Sequence, residues 1–169
     1  APENLKSGLI DGTAWIVRPF IRYLLPLVLA HRNGDDFTLM ALLRQYCPRL
    51  QAERLIGCDM AAELESLKTD LNSLDDQLAV DSTVKIVYVS SFVVYHDFVE
   101  FDERFEPIIT GYSVGLEVGE NTLENSPLRF MHCTAGELWG YQTYIESQSP
   151  FSTQQGIKGA EFERVLVVI

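Results

Sequence analysis

The sequence predicts a mainly α-helical protein, in which a helical subdomain is followed by a loop and a terminal β-strand belonging to an incomplete α/β domain. Two observations predict this class. Apolar residues recur at intervals of three and four through much of residues 1–150, which is the spacing of a buried helix face. Residues 165–169 instead form a β-branched apolar run without polar alternation, typical of a parallel strand buried on both faces. Because no later residue supplies neighbours for that strand, we expect residues 151–169 to be the truncated part of a larger domain.

Composition indicates a folded protein but not a stand-alone nucleic-acid binder. The hydrophobic content of 47% and the aromatic content of 11% argue against disorder. The 13 basic and 24 acidic residues give a net charge of −11. Since proteins bind nucleic acid largely by neutralising its phosphates, contact with DNA would have to use a local patch.

The cysteines and histidines predict neither a disulfide framework nor a metal site. Cys47, Cys58 and Cys133 form an odd set without a C-x-x-C pair. Only His132 and Cys133 are adjacent, and neighbouring residues on a helix point in different directions. We therefore expect a reducing, cytoplasmic setting.

The first helix is predicted from Pro19, which suits a first helical turn. The apolar run over residues 13–31 is interrupted by Arg18, Arg22 and Pro26, and it is shorter than the roughly 20 residues of a membrane span. It also lacks the layout of a signal peptide. The sequence therefore predicts a buried helix with a kink at Pro26 and no membrane segment.

Two further helices follow. Gly34 after Asn33 is expected to end the first one, and Asp35 or Asp36 to cap the second. A third is predicted over residues 59–78. Its leucines are spaced by three or four: Leu64, Leu67, Leu71, Leu74 and Leu78. This run is too short for a zipper, so we expect it to pack against the first two helices.

The next segments are less uniform. Residues 82–99 have strand propensity but also trace a helical face, so both alternatives stay open, and the helix is preferred. Residues 107–127 contain three glycines and no lysine or arginine, which predicts a loop, with or without a short hairpin, rather than a phosphate-binding site. A last helix is expected over residues 128–147.

The loop that follows carries a specific motif. Its residues are Thr153, Gln155, Lys158, Gly159, Glu161, Phe162 and Val165. This pattern resembles motif V of the UvrD/Rep-type superfamily 1 DNA helicases, usually T-x-H-x-x-K-G-x-E-F-x-x-V, at six of seven signature positions. Gln155 replaces the usual histidine, so a role that needs an imidazole is not expected.

The resemblance implies a place for each part of the chain. Residues 1–150 would form the helical insert of the second motor domain, and residues 151–169 the motif V loop and a strand of that RecA-like domain. Thr153 and Gln155 would approach single-stranded DNA, while Gly159 and Glu161 would approach the phosphates and the ribose of ATP. Lys158 is assigned to a DNA phosphate by its charge, with a salt bridge to an acid of its own domain as the alternative.

The function implied is that of a fragment of an ATP-dependent 3′–5′ DNA helicase of the kind used in DNA repair. The full-length enzyme would hydrolyse ATP with Mg²⁺ and act on single-stranded or junction DNA. Residues 1–169 lack Walker motifs, so we expect no catalytic residue, no bound cofactor and no hydrolysis from this segment alone. The alternative is a non-enzymatic helical protein-interaction module.

Overall fold

The structure is a computed structural model that describes residues 8–10, 12–113 and 126–146. Within these ranges it is mainly helical, as predicted, and the only β-pairing is one antiparallel bridge between Lys85 and Thr134. The loop and strand predicted over residues 151–169 lie outside the described residues, as does the ending predicted at residue 147 for the last helix.

The helices follow one another with short connections. They are α1 (Leu25–Asn33), α2 (Asp36–Tyr46), α3 (Ala52–Leu55), α4 (Met60–Gln77), α5 (Ile86–Tyr95), α6 (Phe105–Ser113), α7 (Ser126–His132) and α8 (Glu137–Ile145). A π-helical turn, Phe20–Leu24, runs directly into α1, and a 3₁₀ turn, Pro48–Leu50, precedes α3.

The first helix differs from the predicted kinked α-helix. Its π-helical turn is closed by the Leu25 N–H, which donates to the Phe20 carbonyl, and it lies just before Pro26. Since Pro26 has no N–H to donate, the regular hydrogen-bond ladder is interrupted here in any case. The turn places Phe20, Tyr23 and Leu24 in the core, each at most 1% exposed.

The caps that the sequence predicts are confirmed. Gly34 ends α1 in the left-handed conformation, with φ of 65°. The Asp35 carboxylate accepts a hydrogen bond from the Thr38 N–H at the start of α2. Asp59, which was predicted only as the start of the third helix, also caps α4, through the N–H groups of Ala61 and Ala62.

The core is formed where α1, α4 and α5 meet. α1 packs against α2 and α4, and α5 packs against α4, α6 and α7. Leu67, Leu71, Leu74 and Leu78 are buried, whereas Leu64 is 41% exposed. The leucine run therefore packs within this chain, as predicted. Residues 86–95 are helical, which settles the alternatives left open for residues 82–99.

Two of the predicted boundaries are wrong. Residues 107–113, expected to be loop, continue helix α6, in which Gly111 is an interior residue. The helix expected over residues 128–147 is two helices, because residues 133–136 pair with residues 82–86. The Ile86 N–H donates to the Cys133 carbonyl at 3.0 Å, and the Ala135 N–H donates to the Val84 carbonyl at 2.7 Å. These backbone contacts interrupt the helical ladder between α7 and α8.

Candidate functional site

The motif predicts five binding residues, and all of them lie outside the described residues: Thr153, Gln155, Lys158, Gly159 and Glu161. The structure therefore neither brings them together nor separates them. The candidate site in the described part of the chain is a cleft at the start of the first helix.

This cleft, here called the Trp15 cleft, has a volume of about 990 Å³. One side is formed by the turn around Trp15 and by the helix that carries Arg18 and Arg22. The other side is the segment from Val99 to Glu103, and Tyr46 of α2 also lines it. The cleft is thus built from three separate parts of the sequence.

Aromatic packing holds the Trp15 side of the cleft. The rings of Trp15 and Phe105 meet edge to face, with centroids 5.2 Å apart. Phe101 stacks on Phe105 at 4.3 Å and also packs against Phe20 of the π-helical turn at 6.0 Å. Because Phe20 and Phe105 are buried, the aromatic side chains that line the cleft are anchored in the hydrophobic core.

A second aromatic contact holds Tyr46. Its ring lies 4.8 Å from that of Tyr23, whose hydroxyl donates to the Phe98 carbonyl at 3.0 Å. Burial raises the pKa of the Tyr23 phenol well above its usual value, with smaller contributions from Cys47 and Tyr46. Tyr23 therefore stays neutral and fixed, while Tyr46 keeps 36% of its surface exposed beside the cleft.

The charges of the cleft are distributed unevenly between its two sides. Arg104 lies 4.4 Å from the centre of the Trp15 ring and binds Asp102 through two hydrogen bonds of 2.6 and 2.7 Å. This guanidinium lowers the pKa of the Asp102 carboxyl to about 2. Glu100 and Glu103 line the same side of the cleft.

Arg18 and Arg22 carry the positive charge of the opposite side. Both are exposed, and they stand four residues apart, so they project from the same face of the helix. Neither forms an ion pair with another side chain in the described ranges, unlike Arg32, Arg49, Arg54 and Arg104. In a chain of net charge −11, two arginines on one helix face that have no acidic partner among the described residues are available to an anionic ligand.

A second polar cluster has its charges already paired. Arg49 donates to Glu63 and Asp70, each at 2.6 Å, and to the Ser66 hydroxyl at 3.0 Å. His96 Nδ1 lies 3.1 Å from Asp70, on the carboxylate oxygen that Arg49 does not use. These contacts tie the 3₁₀ turn and the end of α5 to α4, which indicates a structural role.

Sequence reasoning missed the Trp15 cleft. It used Arg18 and Arg22 only to exclude a membrane span, and it did not consider Trp15 as a site residue. One signal was present, because Trp15, Arg18 and Arg22 follow one another at helical spacing. The opposite side, residues 99–103, could not be assigned, since its position depends on the packing of Phe101 and Phe105.

Cys47, Cys58 and Cys133 are all free. In the part of the chain that the structure describes, no helix has both the length and the apolar character to cross a bilayer, and no three metal-binding side chains cluster. No family model, curated protein or solved structure matches this chain.

Proposed function

We propose that this chain is part of an ATP-dependent 3′–5′ DNA helicase of the UvrD/Rep type. The observation that carries the proposal is the agreement of residues 153–165 with motif V at six of seven positions, followed by an apolar β-branched run. In this proposal residues 1–150 are the helical insert, and residues 151–169 are a loop and a strand of a RecA-like domain. The helical architecture of the described residues is consistent with such an insert.

The proposed roles follow from the chemistry of each side chain. The Thr153 hydroxyl and the Gln155 amide can donate hydrogen bonds to phosphate or base-edge oxygens, and Lys158 adds a positive charge. The Glu161 carboxylate can accept hydrogen bonds from ribose hydroxyls, and Gly159 allows the backbone to approach a phosphate closely. A loop that contacts both ligands can couple a change in the nucleotide to the grip on DNA.

ATP bound with Mg²⁺ would supply the free energy for translocation. A cytoplasmic location and a role in DNA repair belong to the same proposal and rest on the resemblance of residues 153–165 to motif V.

The proposal is tested with the product of the complete reading frame. Glu161→Ala is expected to weaken ATP binding, because the ribose loses a hydrogen-bond acceptor. Glu163→Ala is the matched control, since Glu163 is not a signature position of the motif. Binding is measured with a fluorescent ATP analogue. Equal affinities for the Glu161 variant, the control and the wild type would contradict the assignment.

The alternative is a helical interaction module. Three large apolar or aromatic side chains expose more than four fifths of their surface: Phe37 (85%), Ile56 (83%) and Tyr95 (84%). Such side chains mark contacts with other proteins where they form one contiguous patch, whereas scattered ones are ordinary on a surface. If the complete protein neither binds nor hydrolyses ATP, this alternative replaces the helicase.

A further inference from the structure

We propose that the Trp15 cleft binds single-stranded nucleic acid, with Arg18 and Arg22 on backbone phosphates and with Tyr46 as a surface on which a base stacks. The choice of ligand rests on the proposed function, and it adds a DNA contact on the helical body to those proposed at residues 153–158.

The arginine pair supplies the contact with the backbone. Arg18 and Arg22 lie one turn apart, which separates them by about 6 Å along the helix axis. Each guanidinium can donate two parallel hydrogen bonds to a phosphate. Because neither is engaged by an acidic side chain in the described ranges, a phosphate displaces no existing ion pair.

The aromatic side chains supply the contact with the bases. Tyr46 lines the cleft, is supported from behind by buried Tyr23, and keeps 36% of its surface exposed. A ring held in this way loses little entropy when a base stacks on it, and such stacking is worth about 1–3 kcal/mol per base. At about 990 Å³, the cleft is large enough for more than one nucleotide.

The opposite side of the cleft limits affinity and argues against a continuous duplex track. Glu100 and Glu103 would repel phosphates, whereas Asp102 is already neutralised by Arg104. A single strand can keep its backbone on the arginine side and turn its bases toward Tyr46 and Phe101. An acidic peptide could also use the arginines, but its carboxylates come without a ring to stack, so the aromatic lining favours the nucleic acid.

The test measures fluorescence anisotropy of a labelled oligothymidylate of about 15 nucleotides, a length within the range of single-strand sites. The 169-residue chain is titrated at several salt concentrations. The double variant Arg18→Gln/Arg22→Gln removes both proposed phosphate contacts. Arg44→Gln/Lys68→Gln is the matched control, because it removes the same charge from exposed positions that do not line the cleft.

The expected result is a change in salt dependence as well as in affinity. Each phosphate contact with a single strand contributes about 0.7 to the slope of log K against log salt, so the slope falls by about 1.4 in the cleft variant. Between about 50 and 200 mM salt, the wild type and the charge-matched control should therefore lose about sevenfold more affinity than the cleft variant does. A slope equal to that of the control overturns the proposal.

Two further measurements separate the alternatives. Tyr46→Leu should weaken binding about fivefold or more, which corresponds to the lower end of the stacking energies measured for a base on an aromatic ring. Tyr95→Leu is the control, because Tyr95 is exposed but lies outside the cleft, and it should leave the affinity unchanged.

If polyglutamate displaces the oligonucleotide from wild type as efficiently as unlabelled oligothymidylate does, the cleft takes acidic peptides and the proposal is wrong. If Lys158→Gln weakens binding and Arg18→Gln/Arg22→Gln does not, the cleft proposal fails while the proposed function survives. ATP hydrolysis by the complete protein tests that function separately.

Discussion

Arg32 of α1 and Trp139 of α8 both donate to the Leu78 carbonyl at the end of α4, and the Arg32 guanidinium lies 5.1 Å from the centre of the Trp139 ring. The indole N–H donates at 2.7 Å and the guanidinium at 3.2 Å. Arg32 also binds Asp75, and neighbouring His31 bonds to Asn72 at 2.9 Å. One carbonyl thus joins three helices that are far apart in the sequence.

This junction predicts the effect of Trp139→Phe. The variant loses the bond to Leu78 and weakens the cation–π contact with Arg32, so the free energy of unfolding should fall by about 1–2 kcal/mol. Tyr144→Phe, on the same helix and 37% exposed, is the control and should change stability little. Urea unfolding checks both variants, and equal midpoints would show that the junction does not stabilise the fold.

The break between α7 and α8 predicts opposite effects for two glycines of the same segment. A Cβ on Gly136 would lie 2.6 Å from the Val80 carbonyl oxygen, so Gly136→Ala should destabilise the fold by about 1–3 kcal/mol. At Gly140, inside α8, an added Cβ meets nothing within 4 Å. Gly140→Ala should therefore stabilise the protein by about 0.4–1 kcal/mol. Thermal unfolding gives the sign of each change, and a stabilising Gly136→Ala would contradict the close approach.

The buried Tyr23 predicts a loss of stability at alkaline pH. Its pKa is raised in the folded protein, so above about pH 10 the unfolded chain releases a proton that the folded chain retains. The contribution of the neutral Tyr23 phenol to the free energy of unfolding is fully present below pH 10. Above pH 10 it is lost by up to about 1.4 kcal/mol per pH unit. In Tyr23→Phe, the free energy of unfolding should therefore fall less steeply with pH above 10. Parallel unfolding curves for wild type and variant above pH 10 would argue against it.

The Arg49 cluster predicts a contrast with Arg54. The Arg49 side chain is 13% exposed and has three hydrogen-bonding partners, so Arg49→Met should cost about 1.5–3 kcal/mol by leaving Glu63 and Asp70 without their donor. The Arg54–Asp97 pair is about half exposed on both sides, and Arg54→Met should cost less than about 1 kcal/mol. Chemical denaturation compares the two variants. A larger loss for Arg54→Met would reverse this assignment.

Local features of the fold could be predicted from the sequence. Asp35 and Gly34 act within one helical turn, and their effects depend on residue type alone. The periodicity of the leucines likewise identified α4 and its buried face, since that pattern is set by helix geometry.

Features that depend on distant contacts could not be predicted. For residues 86–95 the helix was preferred, but the strand propensity left a strand open, and packing against α4, α6 and α7 decides for the helix. The break at residues 133–136 depends on backbone pairing with residues 82–86, which leaves no local signature. The Trp15 cleft was missed for the same reason, because Tyr46 and residues 99–103 reach it only through tertiary packing.

In the function proposed above, residues 153–165 couple ATP to DNA in a helicase. The most direct test measures ATP hydrolysis by the product of the complete reading frame, with and without single-stranded DNA, for wild type, Thr153→Ala and the control Ser152→Ala. We expect DNA to stimulate wild type and control strongly, and the Thr153 variant to keep its basal rate but lose most of that stimulation. A complete protein without ATP hydrolysis, or a Thr153 variant stimulated as strongly as wild type, would contradict the account.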